Sequence, residues 1–291
     1  MKEELKISVV QMASEQSIFD SALKIKNVER ILKYLEEEAA VSDVVVFPEL
    51  AIGGYIPLRG YVPELKSKFW DISEDLGKSP TLEKIGEITR QHGCLCIVGF
   101  SERRAKFEAF NSAAVIDSGR MKGVGRKVHI PTEENHYFTP GSRIRVFDTG
   151  IGRIGISICY DFLFPEMVRI MALKGAEIVV ILSAVLDTAN FRNMSYFVPV
   201  ARAIENQVHV VFCNGCGTLR TTSQPMGLLG ESMIISSLGE IISKADREEC
   251  VVRGIVTEEG LRRGSAFLSV FRERHPHLYG PLLEAADSAL E

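Results

Sequence analysis

The sequence predicts a sheet-rich α/β fold with its helices on the outside. Three observations carry this. The chain opens with strand–helix alternation, its middle is a run of strands with little helix between them, and a second series of strand–helix units follows. No Pro/Gly/Ser-rich linker divides the 291 residues and no internal repeat is visible, so one large domain is as natural as two.

The elements follow in order. Residues 5–11 form an apolar strand. Residues 20–40 place Ile25, Val28, Ile31, Leu32 and Leu35 on one helix face. Residues 43–47 are a Val-rich run suited to a strand covered on both sides. A helix over 81–91 leads into a strand over 94–100. Strands are then expected over 109–117, 124–128, 144–148 and 152–159. Helical patterns return at 164–174 and 191–206, followed by strands at 178–182 and 208–214 respectively. Residues 232–236 and 241–243 read as a hairpin turned at Leu238-Gly239, and 251–256 as a last strand. A single domain is expected over 1–260. The tail, 261–291, reads as a polar, irregular extension that needs something to pack on, such as a second subunit.

Composition narrows the function classes. Hydrophobic residues make up 46% and charged residues 25%, ordinary for a soluble globular chain. A chain this long buries about three quarters of its unfolded surface, enough for a rigid site without disulfides. The net charge is −4, the pI is about 6.0, and no Lys/Arg run could track a nucleic-acid backbone. Glu36-Glu37-Glu38 reads as the solvated end of a helix. Six cysteines make no disulfide framework. The N-terminus shows no signal-peptide pattern. The longest apolar stretch, 178–186, is broken by Ser183 and falls short of the roughly 20 residues that span a bilayer. A reduced, cytoplasmic protein without membrane or nucleic-acid partners is expected.

Three residues stand where chemistry could be done. Cys159 ends a strand and precedes a helix containing Pro165 and Glu166, so its sulfur would sit at a strand-to-helix corner near free N–H groups. Glu49 follows the buried Val-rich strand, just past Pro48, at a strand end where α/β sheets place their ligands. Lys127 closes another strand, with Glu134 seven residues on. Taken singly, each has an ordinary reading: a buried structural cysteine, a solvated loop carboxylate, an exposed lysine.

Together the motifs resemble a known family. Phe47-Pro48-Glu49, Arg126-Lys127-Val128-His129-Ile130-Pro131 with Glu134, Tyr137-Phe138-Thr139-Pro140-Gly141, and Gly155-Ile156-Ser157-Ile158-Cys159-Tyr160-Asp161 with Phe164-Pro165-Glu166 are similar, in order and spacing, to the nitrilase superfamily of carbon–nitrogen hydrolases. The similarity continues through Arg202-Ala203-Ile204-Glu205-Asn206, Asn214, Gly230-Glu231-Ser232, Gly239 and His275-Pro276-His277-Leu278-Tyr279. The resemblance implies a four-layer αββα sandwich, pairing into homodimers or larger homo-oligomers, and a Glu49–Lys127–Cys159 triad with neither metal nor cofactor. It implies Glu134 as a support beside Lys127. In such a site Glu49 takes the thiol proton. Lys127 and the Tyr160 backbone N–H hold the oxyanion, and a thioester forms and is hydrolysed. The expected substrate is a small amide or carbamoyl compound, with release of ammonia or an amine. Nitrile hydrolysis and a catalytically silent binding protein are the alternatives.

Branch features refine this. Nitrile-cleaving members of the family follow the cysteine with Trp-Glu; Tyr160-Asp161 is similar to amidase branches. Phe162, Leu163 and Phe164 stand where carboxylate-binding members carry arginine. An arginine fork is the usual carboxylate partner, which favours a neutral or amine-bearing substrate unless Arg220 supplies the fork from another loop. Tyr55, Tyr137, Leu163 and Phe191 are candidate pocket residues. Two patterns are set aside. Gly150-Ile151-Gly152-Arg153-Ile154-Gly155 spells a dinucleotide fingerprint but continues as a strand, not a helix. Cys213-Asn214-Gly215-Cys216 and Cys94-Leu95-Cys96 read as small buried residues rather than a zinc site.

Overall fold

The alternation of apolar residues along the strands decides how the layers stack. A computed structural model describes residues 1–16, 20–55, 63–105, 108–131, 134–220, 224–267 and 269–284. Among these the strands are β1 (Glu4–Gln11), β2 (Val44–Val46), β3 (Glu74–Asp75), β4 (Leu95–Ala105), β5 (Glu108–Asp117), β6 (Arg120–Arg126), β7 (Val146–Thr149), β8 (Gly152–Ile158), β9 (Ile178–Ser183), β10 (His209–Asn214), β11 (Thr218–Leu219), β12 (Met226–Gly227), β13 (Met233–Ile235), β14 (Ile241–Lys244) and β15 (Cys250–Thr257). The helices are α1 (Ala22–Ala39), α2 (Pro63–Ile72), α3 (Pro80–His92), α4 (Pro165–Leu173), α5 (Ala189–Asn206) and α6 (Glu258–Phe267).

One sheet has the order β15-β1-β2-β4-β5-β6, with β3 on the side of β4; the other has the order β14-β13-β10-β9-β8-β7. Ile7, Val9, Val44, Val46, Ile97, Ala113 and Val115 of the first face Ile156, Ile158, Val180, Leu182, Val211 and Ile234 of the second. The opposite parity on the first sheet, Val10, Val45, Cys96, Val98 and Ala114, receives Ile31 and Leu35 of α1 and Leu82 and Ile85 of α3. On the second sheet Val179, Ile181, Val210 and Phe212 receive Met167, Val168 and Met171 of α4 and Ala203 of α5. The result is the αββα sandwich. The close approach of the two sheets needs Gly125, where a Cβ would lie 2.6 Å from Ile156.

Local chemistry explains most boundaries. Ser79 caps α3 by accepting from the Leu82 N–H at 3.1 Å, and Gly93 ends it at φ 66°. Thr188 caps α5, which therefore starts two residues before the apolar periodicity does. The would-be fingerprint at 150–155 is the turn of the β7–β8 hairpin, with Thr149 opposite Gly152.

Some expectations need correction. β6 ends at Arg126, ahead of Lys127, and begins earlier than expected, at the Ser118–Gly119 turn. The stretch from 258 to 267, read as tail from 261 onward, is helical in α6. Its Glu258 and Glu259 pair with Arg262 and Arg263, and ion pairs of that spacing stabilise a helix that carries little apolar pattern. Helix α2 also has no counterpart in the sequence reading. Glu38 is not solvated: it lies on the buried side of α1 with Ile31 and Leu35, where it accepts from Ser8 Oγ at 2.8 Å and Arg253 Nε at 2.7 Å. Among the described residues, no helix is long and apolar enough to cross a membrane.

Candidate active site

Both sheets deliver polar side chains to one end of the seam between them. After β2 the backbone still pairs through the Phe47 N–H to the Ile97 carbonyl at 2.8 Å. Pro48 then ends the ladder, and the chain folds down onto β4. A Cβ at Gly99 would sit 2.2 Å from the Pro48 carbonyl and 2.8 Å from Glu49 Cα, so this glycine is the floor on which Glu49 rests. Leu50 completes the turn at φ 52°. Lys127 follows β6, its N–H donating to the Asn111 carbonyl at 2.9 Å and its own carbonyl accepting from Gly141 at 2.7 Å. Glu134 opens a short 3₁₀ turn, Glu134–His136.

These three side chains meet. Lys127 is fully buried, and its Nζ donates to Glu49 Oε1 at 2.9 Å and to Glu134 Oε1 and Oε2 at 2.9 and 2.8 Å. Tyr55 donates its hydroxyl to Glu134 Oε1 at 2.6 Å. Asn111 Nδ2 donates to Glu49 Oε1 at 2.7 Å. Burial pushes the Glu49 carboxyl above its ordinary range; Lys127 opposes this and the Glu134 charge adds to it. Burial works against the Lys127 charge, but Glu134 and Glu49 outweigh it and hold the ammonium well above its usual value.

Cys159 comes from the other sheet. It directly follows β8 in the left-handed region, φ 46°, a conformation that costs a non-glycine residue about 1–3 kcal/mol and is met where the surroundings over-determine it. A 3₁₀ turn, Cys159–Leu163, follows the cysteine, and the helix expected over 164–174 is α4, starting at Pro165. Burial pushes the Cys159 thiol up, as do the charges of Glu49 and Glu134, while Lys127 and the Ala184 backbone N–H draw it down. The sulfur therefore lies in the field of all three polar partners. The Tyr160 N–H belongs to the first residues of the turn, where backbone donors lack partners within it.

Two residues without a role in the sequence reading complete the arrangement. Asp161, buried in the turn, accepts from the Ile158 N–H at 3.3 Å, the Val128 N–H at 3.2 Å, the His129 N–H at 2.7 Å and His129 Nδ1 at 2.8 Å. It ties the cysteine turn of one sheet to the lysine loop of the other. Asn111 shares the parity of Ala113 and Val115, which face the other sheet. A polar residue at an inward strand position was the signal that could have found it.

The pocket candidates divide. Tyr55 and Tyr137 share one apolar cluster with Leu50, beside Glu49, and Ala184, whose N–H faces the sulfur. Leu163 packs into the cluster under α4 and α5, where its carbonyl accepts from Arg202. Phe191 belongs to none of these clusters and stands exposed on the first turn of α5. Arg220 is exposed and is held through its backbone, whose N–H donates to Gln16 Oε1 at 2.6 Å.

A seam that gathers a carboxylate, an ammonium and a thiol agrees with what the chain is similar to. The carbon-nitrogen hydrolase family matches residues 6–257, and the chain belongs to that family. It is 27% identical to a citrullinase of Francisella tularensis over 96% of this chain and 98% of that one. It is 29% identical to an N-carbamoylputrescine amidase of Arabidopsis thaliana over 97% and 96%. A carbon-nitrogen hydrolase of Helicobacter pylori superimposes with a TM-score of 0.85 at 26% identity, covering 97% of this chain and 99% of that chain.

Proposed function

We propose that this protein hydrolyses the carbon–nitrogen bond of a small amide or carbamoyl compound through a thioester on Cys159. The observation that carries the reading is a fully buried Lys127 shared by two buried carboxylates beside a thiol held at a strained corner. Two carboxylates and one ammonium leave one negative charge in excess, which makes the cluster a ready proton acceptor. Glu49 takes the thiol proton as sulfur attacks the carbonyl carbon. Lys127 and the Tyr160 N–H stabilise the oxyanion. Glu49 returns the proton to the nitrogen, ammonia or an amine departs, and water activated by Glu49 releases the acid. Glu134, braced by Tyr55, holds Lys127 in place.

Relatives named for a carbamoyl amine and for citrulline support the carbamoyl arm of the substrate class. Phe162, Leu163 and Phe164 after the nucleophile favour a substrate without a carboxylate at that end. The test is an amide and carbamoyl panel with ammonia detection. Cys159→Ala should fall to background turnover while keeping its thermal transition. Substantial hydrolysis by that variant sinks the nucleophile assignment.

The same reading covers assembly and setting. Met194, Phe197 and Ile204 stand on the outer side of α5 at helical spacing, Phe197 63% and Ile204 49% exposed. Leu282 of the extension is as exposed as Phe197, and Leu283 is more exposed still. Apolar surface of this kind suits a homodimer, with one hydrolase domain through about residue 260 and the extension lying along the interface. All six cysteines are free thiols, which fits a reducing cytoplasm.

A further inference from the structure

Two acceptor oxygens of the site receive no donor from the described residues. Glu49 Oε1 accepts from both Asn111 Nδ2 and Lys127 Nζ, whereas Glu49 Oε2 and Asn111 Oδ1 are buried and accept nothing from any described residue. This contrasts with the neighbouring carboxylates: both oxygens of Glu134 and both of Asp161 are engaged. The orientation of the Asn111 amide follows from its neighbour. Turning it over would set Oδ1 against a carboxylate oxygen and abolish the 2.7 Å bond. Buried acceptors without donors are costly, and in native proteins such groups call for an explanation. Both atoms belong to side chains at the sheet–sheet seam, one on the general base and the other hydrogen-bonded to it.

We propose that Asn111 Oδ1 and Glu49 Oε2 together receive the two N–H bonds of an unsubstituted NH2 group on the scissile carbon, so that Asn111 selects primary carboxamides and terminal ureido groups. This rests on the roles given above to Glu49, Lys127 and Cys159. The thiol proton moves to Glu49 Oε2 as the C–S bond forms. It then moves to the substrate nitrogen as the C–N bond breaks, and the nitrogen leaves as ammonia. Asn111 Oδ1 keeps its N–H as the nitrogen pyramidalises, so the turn that takes the other N–H off the protonated Glu49 Oε2 brings the developing lone pair to face that proton. An N-alkyl amide has one N–H and puts its substituent against one acceptor. An ester has none and presents an oxygen to both.

The experiment compares a primary amide, the matching N-methyl amide and the matching methyl ester, all with the acyl group of the best panel substrate. Wild type, Asn111→Ala and Asn111→Ser are assayed, with rates normalised to the fraction of Cys159 that can be alkylated. Wild type should prefer the primary amide to the N-methyl amide by roughly 100-fold or more, because a site built to bind N–H groups rejects analogues that lack them. Asn111→Ala should lose about ten times more kcat/KM on the amide than on the ester, and Asn111→Ser, which keeps an acceptor, should recover part of the difference. Equal losses on amide and ester overturn the proposal and reduce Asn111 to a positioner of Glu49. Wild-type turnover of the N-methyl amide within about three-fold of the primary amide overturns it without any variant, so a variant that fails to fold does not shelter it. If wild type turns over no amide or ester at all, the Cys159 reading fails first and the NH2 assignment falls with it.

Discussion

Lys127 is the residue on which the site's charge balance turns. Removing one partner of a buried ion pair typically costs about 3–5 kcal/mol, because the other charge is left uncompensated. Here the ammonium has two carboxylate partners, and the second is a lever on the first. In the proposed mechanism Glu49 acts as a base only when deprotonated, and its carboxyl is raised above the ordinary 4.5 by burial, with Glu134 contributing. The acid limb of kcat/KM should therefore lie above the usual carboxylate range, activity falling as pH drops through it. Glu134→Gln keeps an acceptor for Lys127 and Tyr55 but removes a negative charge, so the acid limb should move to lower pH. kcat should also fall by about ten-fold as Lys127 is held less firmly. A pH–rate profile checks this; a limb that stays or rises counts against the coupling. At this scale the meeting of Glu49, Lys127 and Glu134 was legible because each sits in a contiguous motif, as does Cys159. Asn111 was not: one amide inside an apolar strand looks ordinary until its parity is set against that of Ala113 and Val115. Asp161 stood in a motif, but its bonds reach a loop more than thirty positions away in sequence, a proximity that only folding creates.

At the scale of the elements, the path of the chain after β2 depends on what lies beneath it. Gly99→Ala would thrust a methyl group to within 2.2–2.8 Å of the Pro48–Leu50 backbone. Backbone cannot swing aside as a flexible side chain can, so the Glu49 carboxylate must shift. Displacements of about 1 Å cost on the order of 100-fold in rate, and overpacking typically costs about 1–3 kcal/mol of stability. Steady-state kinetics and thermal unfolding measure both, and near-native kcat/KM would mean that the turn relaxes elsewhere. Elements with a clear period were legible: β1, β5, β8, β9 and β10 among strands, α1 and α3 among helices. Those that escaped, α2, α6 and the two-residue strands β3, β11 and β12, are short, and the first half of α6 is stabilised by charge pairs rather than by an apolar stripe. The end of β6 was misplaced because Val124 and Val128 look like one alternating run, whereas the chain leaves the ladder at Lys127 to bury its ammonium.

For the molecule as a whole, the sandwich was legible through resemblance more than through pattern, since periodicity shows which strands are covered but not how two sheets are laid together. The proposed pairing through α5 is tested by Phe197→Glu, which should convert a dimer into a monomer in sedimentation velocity; an unchanged sedimentation coefficient would place the interface elsewhere. The seam also carries a consequence of its own. Glu49 and Lys127 are anchored in one sheet and Cys159 in the other, with the Asp161 carboxylate as the stitch between them. Neither half holds a working set by itself. In the proposed mechanism, proton transfer thus reports on the alignment of two slabs, as a vernier reads the offset between two scales, and a slip too small to expose the core would already silence the chemistry.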